Sequence, residues 1–339
     1  MLNRHSLEPV TTITSLLRNT SALLLSCLAM QQAQAFGDTH CHYHRFVDLP
    51  VQVTDGNVLA QGSVDGHAAT ISIHTASHKS FINETLVNQI GLPLTHSGLY
   101  MLTAEGPKET FVTIIHELGL GDKSMKQQLR FMVDTRTGLH SEVEIGSDFL
   151  SGIDTEVSLA ENKVRLFQPE NCDSTYLGYW ADNASVTWLS QVSAHDHRPI
   201  ISVTVNGQAL RAVIDTASKQ SFIDLSAAKS AGVTPESTGA KKMPNWTDAK
   251  GDEFESWLVP IDQISIADEN IKNAKLLVAD IWGLARENAH TRGANQAFDK
   301  QPDVILGLDF LKAHRVLLAY SQNRLYFTFL GGSAFDSGR

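Results

Sequence analysis

The chain has 339 residues, 42% of them hydrophobic and 19% charged, with a formal net charge of -10 at pH 7. That length and composition describe a soluble globular protein with room for two ordinary-sized cores, and exclude a disordered or fibrous chain. Acidity without any Lys/Arg block suits neither nucleic acid nor an anionic membrane surface, so neither is expected as a partner.

In chain order, residues 1–35 read as a signal peptide. Arg4 and Arg18 lead into SALLLSCLAM at 21–30, and the small-residue signature Ala33-Gln34-Ala35 follows. Removing the segment takes away two arginines and one glutamate, which moves the charge from -10 to -11. The apolar run is too short to span a membrane and no later run approaches that length, so an integral membrane protein is not expected. The expected location is outside the cytosol, in a bacterial periplasm. Secreted and lipid-anchored forms are the alternatives, because LLSC ending at Cys27 is an imperfect lipoprotein-processing signal. Cys41 and Cys172 flank the first half of the remaining chain; they are either a disulfide stapling its ends or two unpaired thiols. HCHYH at 40–44 offers metal-ligand types, but its place near a terminus reads as an exposed segment, and no metal or other cofactor is expected.

The body of the chain reads twice. VDGHAATISIHTASHKSFIN at 64–83 aligns with VNGQALRAVIDTASKQSFID at 205–224 at an offset of 141, and IGSDFL at 145–150 aligns with LGLDFL at 306–311 at an offset of 161. Two ordered matches indicate an internal repeat, with extra residues in the polar loop at 285–301. Asp65-Gly66 and Asn206-Gly207 read as hairpin turns between alternating strands. The stretches 84–92 and 225–233 are short helical candidates closed by glycine, and strands are expected at 110–118, 254–266 and 274–280. The resulting organisation is a first lobe at 36–168, a connector at 169–196, a second lobe at 197–330 and a flexible tail at 331–339. Tyr176, Tyr179, Trp180 and Trp188 in the connector suggest that it packs on the lobes.

The strand running into Asp215-Thr216-Ala217-Ser218, the SFID after it and ILGLDFL at 305–311 together resemble the retropepsin-like aspartic proteases. The resemblance covers most of 197–330 and, more weakly, 46–168. It implies an all-β fold of two tandem retropepsin-like β-barrel lobes, the first degenerate, with the loops at 74–77 and 215–218 facing each other. In that family two aspartates meet and share one proton, so that the pair activates a water and protonates the amide. Asp215 matches the family aspartate and Thr216 the hydroxyl that braces the two loops. Ala217 stands where the family has glycine, as does Ala76, and Ser218 supports the loop. His74 occupies the aspartate position of the first copy, followed by Thr75, Ala76 and Ser77. Asp148 and Asp309 fall in the family's second structural element and are read as braces, and His78 as a loop-edge residue. Hairpins at 102–111 and 243–257 are candidate flaps, with Trp246 a candidate substrate contact.

Two functions follow. One is an aspartic-type endopeptidase acting through Asp215 on exported or envelope polypeptides; the other is a catalytically inactive pseudo-protease that binds peptides as a scaffold. His74 is correspondingly either a decayed position or half of a mixed His/Asp site. A homodimer bringing two second lobes together would supply the missing carboxylate, and His74→Asp is expected to rebuild the pair within one chain. No G-x-S-x-G, Walker, Rossmann or His-Glu-x-x-His pattern points to another hydrolase or nucleotide enzyme.

Overall fold

Each half opens on a hairpin whose two-residue turn requires left-handed backbone. Asp65 and Gly66 have φ of 45° and 82°, and Asn206 and Gly207 have 48° and 86°, the geometry that matches the twist of paired antiparallel strands. In the computed structural model, residues 40–103, 106–136, 138–190, 196–247, 253–283 and 301–335 are described. The expected signal peptide, the loop at 285–300 and the end of the tail at 336–339 lie outside them.

The first half contains β1 (His42–Thr54), β2 (Asn57–Val64), β3 (His67–Ile73), β4 (Phe81–Asn83), α1 (Glu84–Ile90), β5 (Thr95–Thr103), β6 (Gly106–Leu120), β7 (Lys123–Asp134), β8 (Val143–Ile145), α2 (Ser147–Leu150), β9 (Asp154–Ser158) and β10 (Lys163–Glu170). The connector contributes β11 (Ser185–Trp188). From β2 onward that order recurs in the second half as β12 (Ile200–Val205), β13 (Gln208–Ile214), β14 (Phe222–Asp224), α3 (Leu225–Ser230), β15 (Lys241–Thr247), β16 (Glu253–Ile266), β17 (Glu269–Ala279), β18 (Val304–Leu306), α4 (Leu308–Ala313), β19 (His314–Ala319) and β20 (Arg324–Phe329).

The expected all-β fold of two tandem barrels is corrected on two counts. Four α-helices interrupt the strands among the described residues, making the fold mixed α/β. Local chemistry explains the first and third: the Asn83 side chain accepts from Leu86 N and that of Asp224 from Ser226 N, while Gly91 at φ 71° closes α1. The strands also do not divide half by half. One 13-stranded sheet runs β11-β20-β19-β9-β10-β1-β2-β3-β8-β4-β7-β6-β5, so β19 and β20 of the second half extend a sheet of the first. Within it, an additional β2–β6 pairing closes a six-strand barrel. The remaining seven strands run β12-β13-β18-β14-β17-β16-β15, and β12 also pairs with β16.

The joint between the halves is the antiparallel β9–β19 ladder, with Val316 opposite Val157 and Leu318 opposite Thr155. The side chains that pack there are continuous with the main core: Val157, Val164, Val316, Leu318 and Leu325 are all fully buried. Each such aliphatic residue contributes about 1.5–3 kcal/mol. Over the same sheet, the buried Glu156 carboxylate is met by Arg165 at 2.5 Å, Arg315 at 2.9 Å and the Tyr179 hydroxyl at 2.6 Å. Arg315 also stacks over the rings of Tyr179 and Trp180, and Trp180 Nε1 donates to Thr328. The connector is thereby bonded to both halves. Cys41 and Cys172 form a disulfide at the end of the β1–β10 ladder.

Candidate functional site

Both motif residues emerge from a parallel strand pair. β3 runs beside β8 and β13 beside β18, and the last carbonyl of the neighbouring strand accepts the motif N–H: His74 N to Ile145 O, and Asp215 N to Leu306 O, each at 2.9 Å. The chain then turns back against the next segment. Ser147 N donates to Ser77 O and Leu308 N to Ser218 O, each at 2.8 Å. Gly146 and Gly307 permit that approach, because a Cβ there would sit 2.4 Å from Lys79 O and 2.6 Å from Ser218 O. Ser80 Oγ donates to Asp148 Oδ1 at 2.7 Å and accepts from Gly146 N. Ser221 Oγ does the same with Asp309 and Gly307 N. Asp148 and Asp309 therefore face the loops from behind. Burial raises the Asp309 carboxyl above its usual range despite the bonds from Ser221.

The two loops meet through their threonines. Thr75 Oγ1 donates to Ile214 O at 2.6 Å and Thr216 Oγ1 donates to Ile73 O at 2.5 Å. Each hydroxyl also accepts the other threonine's backbone N–H, at 3.0 Å for Thr75 N and 3.3 Å for Thr216 N. Every polar atom in this buried cross-link is satisfied, so it fixes the separation of His74 and Asp215. Neither Ala76 nor Ala217 has positive φ, which is why a Cβ is accommodated at both positions. The Ser77 and Ser218 hydroxyls donate to Lys79 O and Gln220 O, within their own loops.

In front of the cross-link stands an arrangement with one histidine and two carboxylates. His74 Nε2 lies 3.4 Å from Asp215 Oδ1, and its Nδ1 lies 3.0 Å from Glu144 Oε1. Strand register brings Glu144 there: it sits opposite Ser72 in the β3–β8 pair, and Ser72 and His74 share a face of the strand. Burial alone would lower the imidazole's proton affinity. Glu144, and after it Asp215, overcome that and push the His74 pKa up to about 10. Reciprocally, burial would raise the Glu144 carboxyl, but His74 holds it below the usual range, with smaller help from Ser77 and Arg136. At neutral pH His74 is therefore an imidazolium between two carboxylates. Asp215 Oδ1 also accepts from Ala217 N at 2.8 Å, while its Oδ2 has no hydrogen bond among the described residues.

Glu144 escaped the sequence reading, as did Ser72. The signal was present one residue before the matched IGSDFL segment: extending the 161-residue offset sets Glu144 over Ile305, an acidic residue in the apolar strand Val-Glu-Ile. His78 is half-exposed at the loop edge, 3.5 Å from Asp196, which is itself bound by Arg198. Trp246 lies in β15 opposite Phe254, and its side chain lies outside what is described. Both candidate flaps are hairpins, β5–β6 and β15–β16, whose tips at 104–105 and 248–252 lie outside the described residues. Both β5 and β15 are terminal strands of their sheets. A groove of about 860 Å³ lies elsewhere, between β17, β20 and residues 332–335, and includes neither His74 nor Asp215. Among the described residues no group of three or more His, Cys, Asp or Glu is arranged to hold a metal ion, and no helix is long and apolar enough to cross a membrane.

A family model described as aspartyl protease matches residues 201–310, which contain Asp215, Thr216 and Asp309. The chain thus contains an aspartic-protease-like domain of about 110 residues. Among solved structures, an aspartic proteinase from Irpex lacteus is similar at 12% identity and a TM-score of 0.48, over 86% of this chain and 98% of that one. No curated protein matches the chain.

Proposed function

We infer that this chain, built around an aspartic-protease-like domain, is a peptide-binding protein whose cleft is silent as a carboxylate-dyad peptidase. What carries the reading is the contact set of His74, which lies 3.0 Å from Glu144 and 3.4 Å from Asp215. Acid-type hydrolysis needs two carboxyl groups sharing one proton, one taking a proton from water while the other protonates the leaving nitrogen. An imidazolium with pKa about 10 gives up its proton too reluctantly near neutral pH to serve as that acid. Asp215 is left facing an imidazole rather than a second carboxyl group with which to share a proton. What the cleft keeps is the means of holding an extended chain: the threonine cross-link sets its floor, and the terminal strands β5 and β15 each carry an edge onto which a peptide backbone can add.

A slower hydrolase is the second reading, favoured by Asp215 Oδ2, which has no hydrogen bond among the described residues and as a carboxylate oxygen suits a base on water. Pairing two second halves across chains would demand breaking the Thr75–Thr216 bonds, so a homodimer is not the preferred route to a dyad. We place the protein outside the cytosol, a reading supported by the Cys41–Cys172 disulfide; N-terminal sequencing from the native host tests it, with a terminus near Phe36 expected.

The deciding experiment measures binding and cleavage of a peptide library by wild type and Asp215→Ala between pH 3 and 8. Retention of peptides by wild type without cleavage is expected. Cleavage by monomeric wild type that Asp215→Ala abolishes would replace this reading with the hydrolase.

A further inference from the structure

The same face of the paired strands carries Ser72, Glu144 and His74 in the first half and Val213, Ile305 and Asp215 in the second. The change at His74 is thus matched by a change beside it. A histidine arising by simple decay would have an Ile-like wall for a neighbour. Instead an acidic side chain, with only 22% of its area exposed, reaches Nδ1 at 3.0 Å while Asp215 faces Nε2. In the second half the corresponding Ile305 pairs with Phe222 across the strands and packs against the apolar cluster that contains it. A carboxylate is costly in such a place unless it is paired.

We propose that Glu144 is a positioning residue, and that His74 and Glu144 form a two-residue lock on the cleft, so that a working carboxylate dyad returns only when both are exchanged for their second-half counterparts. This rests on the silent-cleft reading above and deepens it. It also revises the simpler expectation that His74→Asp suffices. With Glu144 still in place, an aspartate at position 74 would create three neighbouring carboxylates in place of an imidazolium flanked by two, leaving the lesser influence of Arg136 on Glu144 as the remaining cationic help. Two such groups cannot both ionise cheaply, and a third draws the shared proton away from the line between positions 74 and 215. In His74→Asp/Glu144→Ile the pair stands alone. There one carboxylate takes a proton from water as it adds to the amide carbonyl, the other gives its proton to the departing nitrogen, and the C–N bond breaks with the proton count of the pair restored.

The test compares full-length wild type, His74→Asp, Glu144→Ile and the double variant, each checked for monomeric mass, for folding by circular dichroism and for cleavage of a peptide library from pH 3 to 8. The double variant is expected to cleave at acidic pH at least about tenfold faster than either single variant, since one misplaced proton-transfer group costs at least that much. Equal activity in His74→Asp alone would overturn the lock. Folded variants that all bind peptide and never cleave would also overturn it, while leaving the binding reading intact. Cleavage by wild type that Glu144→Ile diminishes would overturn both. If the double variant does not fold, the imidazole titration of His74, followed by NMR in wild type and in the isosteric Glu144→Gln, decides. A midpoint lowered by a unit or more supports Glu144 as the clamp, and an unchanged midpoint refutes it.

Discussion

Behind His74 and Asp215 the two halves of this molecule use the same bonds, and around those two side chains they use different chemistry. Ser80 and Ser221 each tie an aspartate to a glycine N–H, and Thr75 and Thr216 exchange equivalent hydrogen bonds. One shell forward, Glu144 and His74 oppose Ile305 and Asp215. Hydrogen bonds that hold backbone are interlocked, so losing one strands a partner in the core. The side chains of His74 and Glu144 are not part of that backbone lattice, so exchanging them breaks none of its bonds. The positions free to change are therefore the ones that decide function.

The largest asymmetry between the halves is covalent. The disulfide closes a 131-residue separation around the first half, so Cys41→Ser/Cys172→Ser should lower stability by about 5 kcal/mol on the loop-entropy account. Urea unfolding of the variant beside oxidised wild type measures it, and a cost below about 1 kcal/mol would mean that the strand ladder alone holds the ends. The threonine cross-link should be the most symmetric feature. Thr75→Val and Thr216→Val each leave a buried N–H and C=O unpaired and should each cost about 2–4 kcal/mol. Their double variant should come close to the sum, because the two hydroxyls serve different partners, Ile214 O and Thr216 N for Thr75 and Ile73 O and Thr75 N for Thr216. Unequal single costs would show one half to be dominant. Ser80→Ala and Ser221→Ala should follow at about 1–3 kcal/mol each, read in the same unfolding series.

The smallest expected effect is a pH dependence that belongs to the first half. His74 is raised from an ordinary value of 6.5 to about 10, so its ionic contribution is full below pH 6.5 and is lost as pH rises through about 10. Glu144 is lowered from 4.5, so its contribution is present above that value and disappears as pH falls through the lowered one. Roughly a quarter of each side chain is exposed, 23% and 22%, and screening leaves an effect on the order of 1 kcal/mol. Thermal melts from pH 4 to 10 should show a decline between about pH 6.5 and 10 that His74→Gln flattens. An identical profile in the variant would separate His74 from that decline.

Much of this was readable from local chemistry. The Asp-Gly and Asn-Gly turns, the short glycine-closed helices and the repeated Ser-Phe-Ile each act over a few residues. Glu144 was not read because its meaning depends on register: it sits opposite Ser72 across 72 residues of chain, and only the parallel pairing brings it to His74. The two-barrel expectation failed for the same reason. Nothing in the residues of 154–158 and 314–319 says that the edge of one strand seeks the edge of the other, and that pairing merges the halves into one 13-stranded sheet.

That splice also imposes an order on the making of the protein. A ribosome delivers the first half complete, disulfide partners included, while β9 still has one bare edge. The strand that covers it, β19, begins at His314, more than 150 residues later. At about 5–20 residues per second the exposure lasts about ten to thirty seconds. Throughout it, the backbone of residues 155–157 is open to any strand with the right alternation, including the same segment of another nascent copy. The chain's last strands therefore act as the cover for its first half, and a chain that stalls before His314 would be released with an adhesive edge.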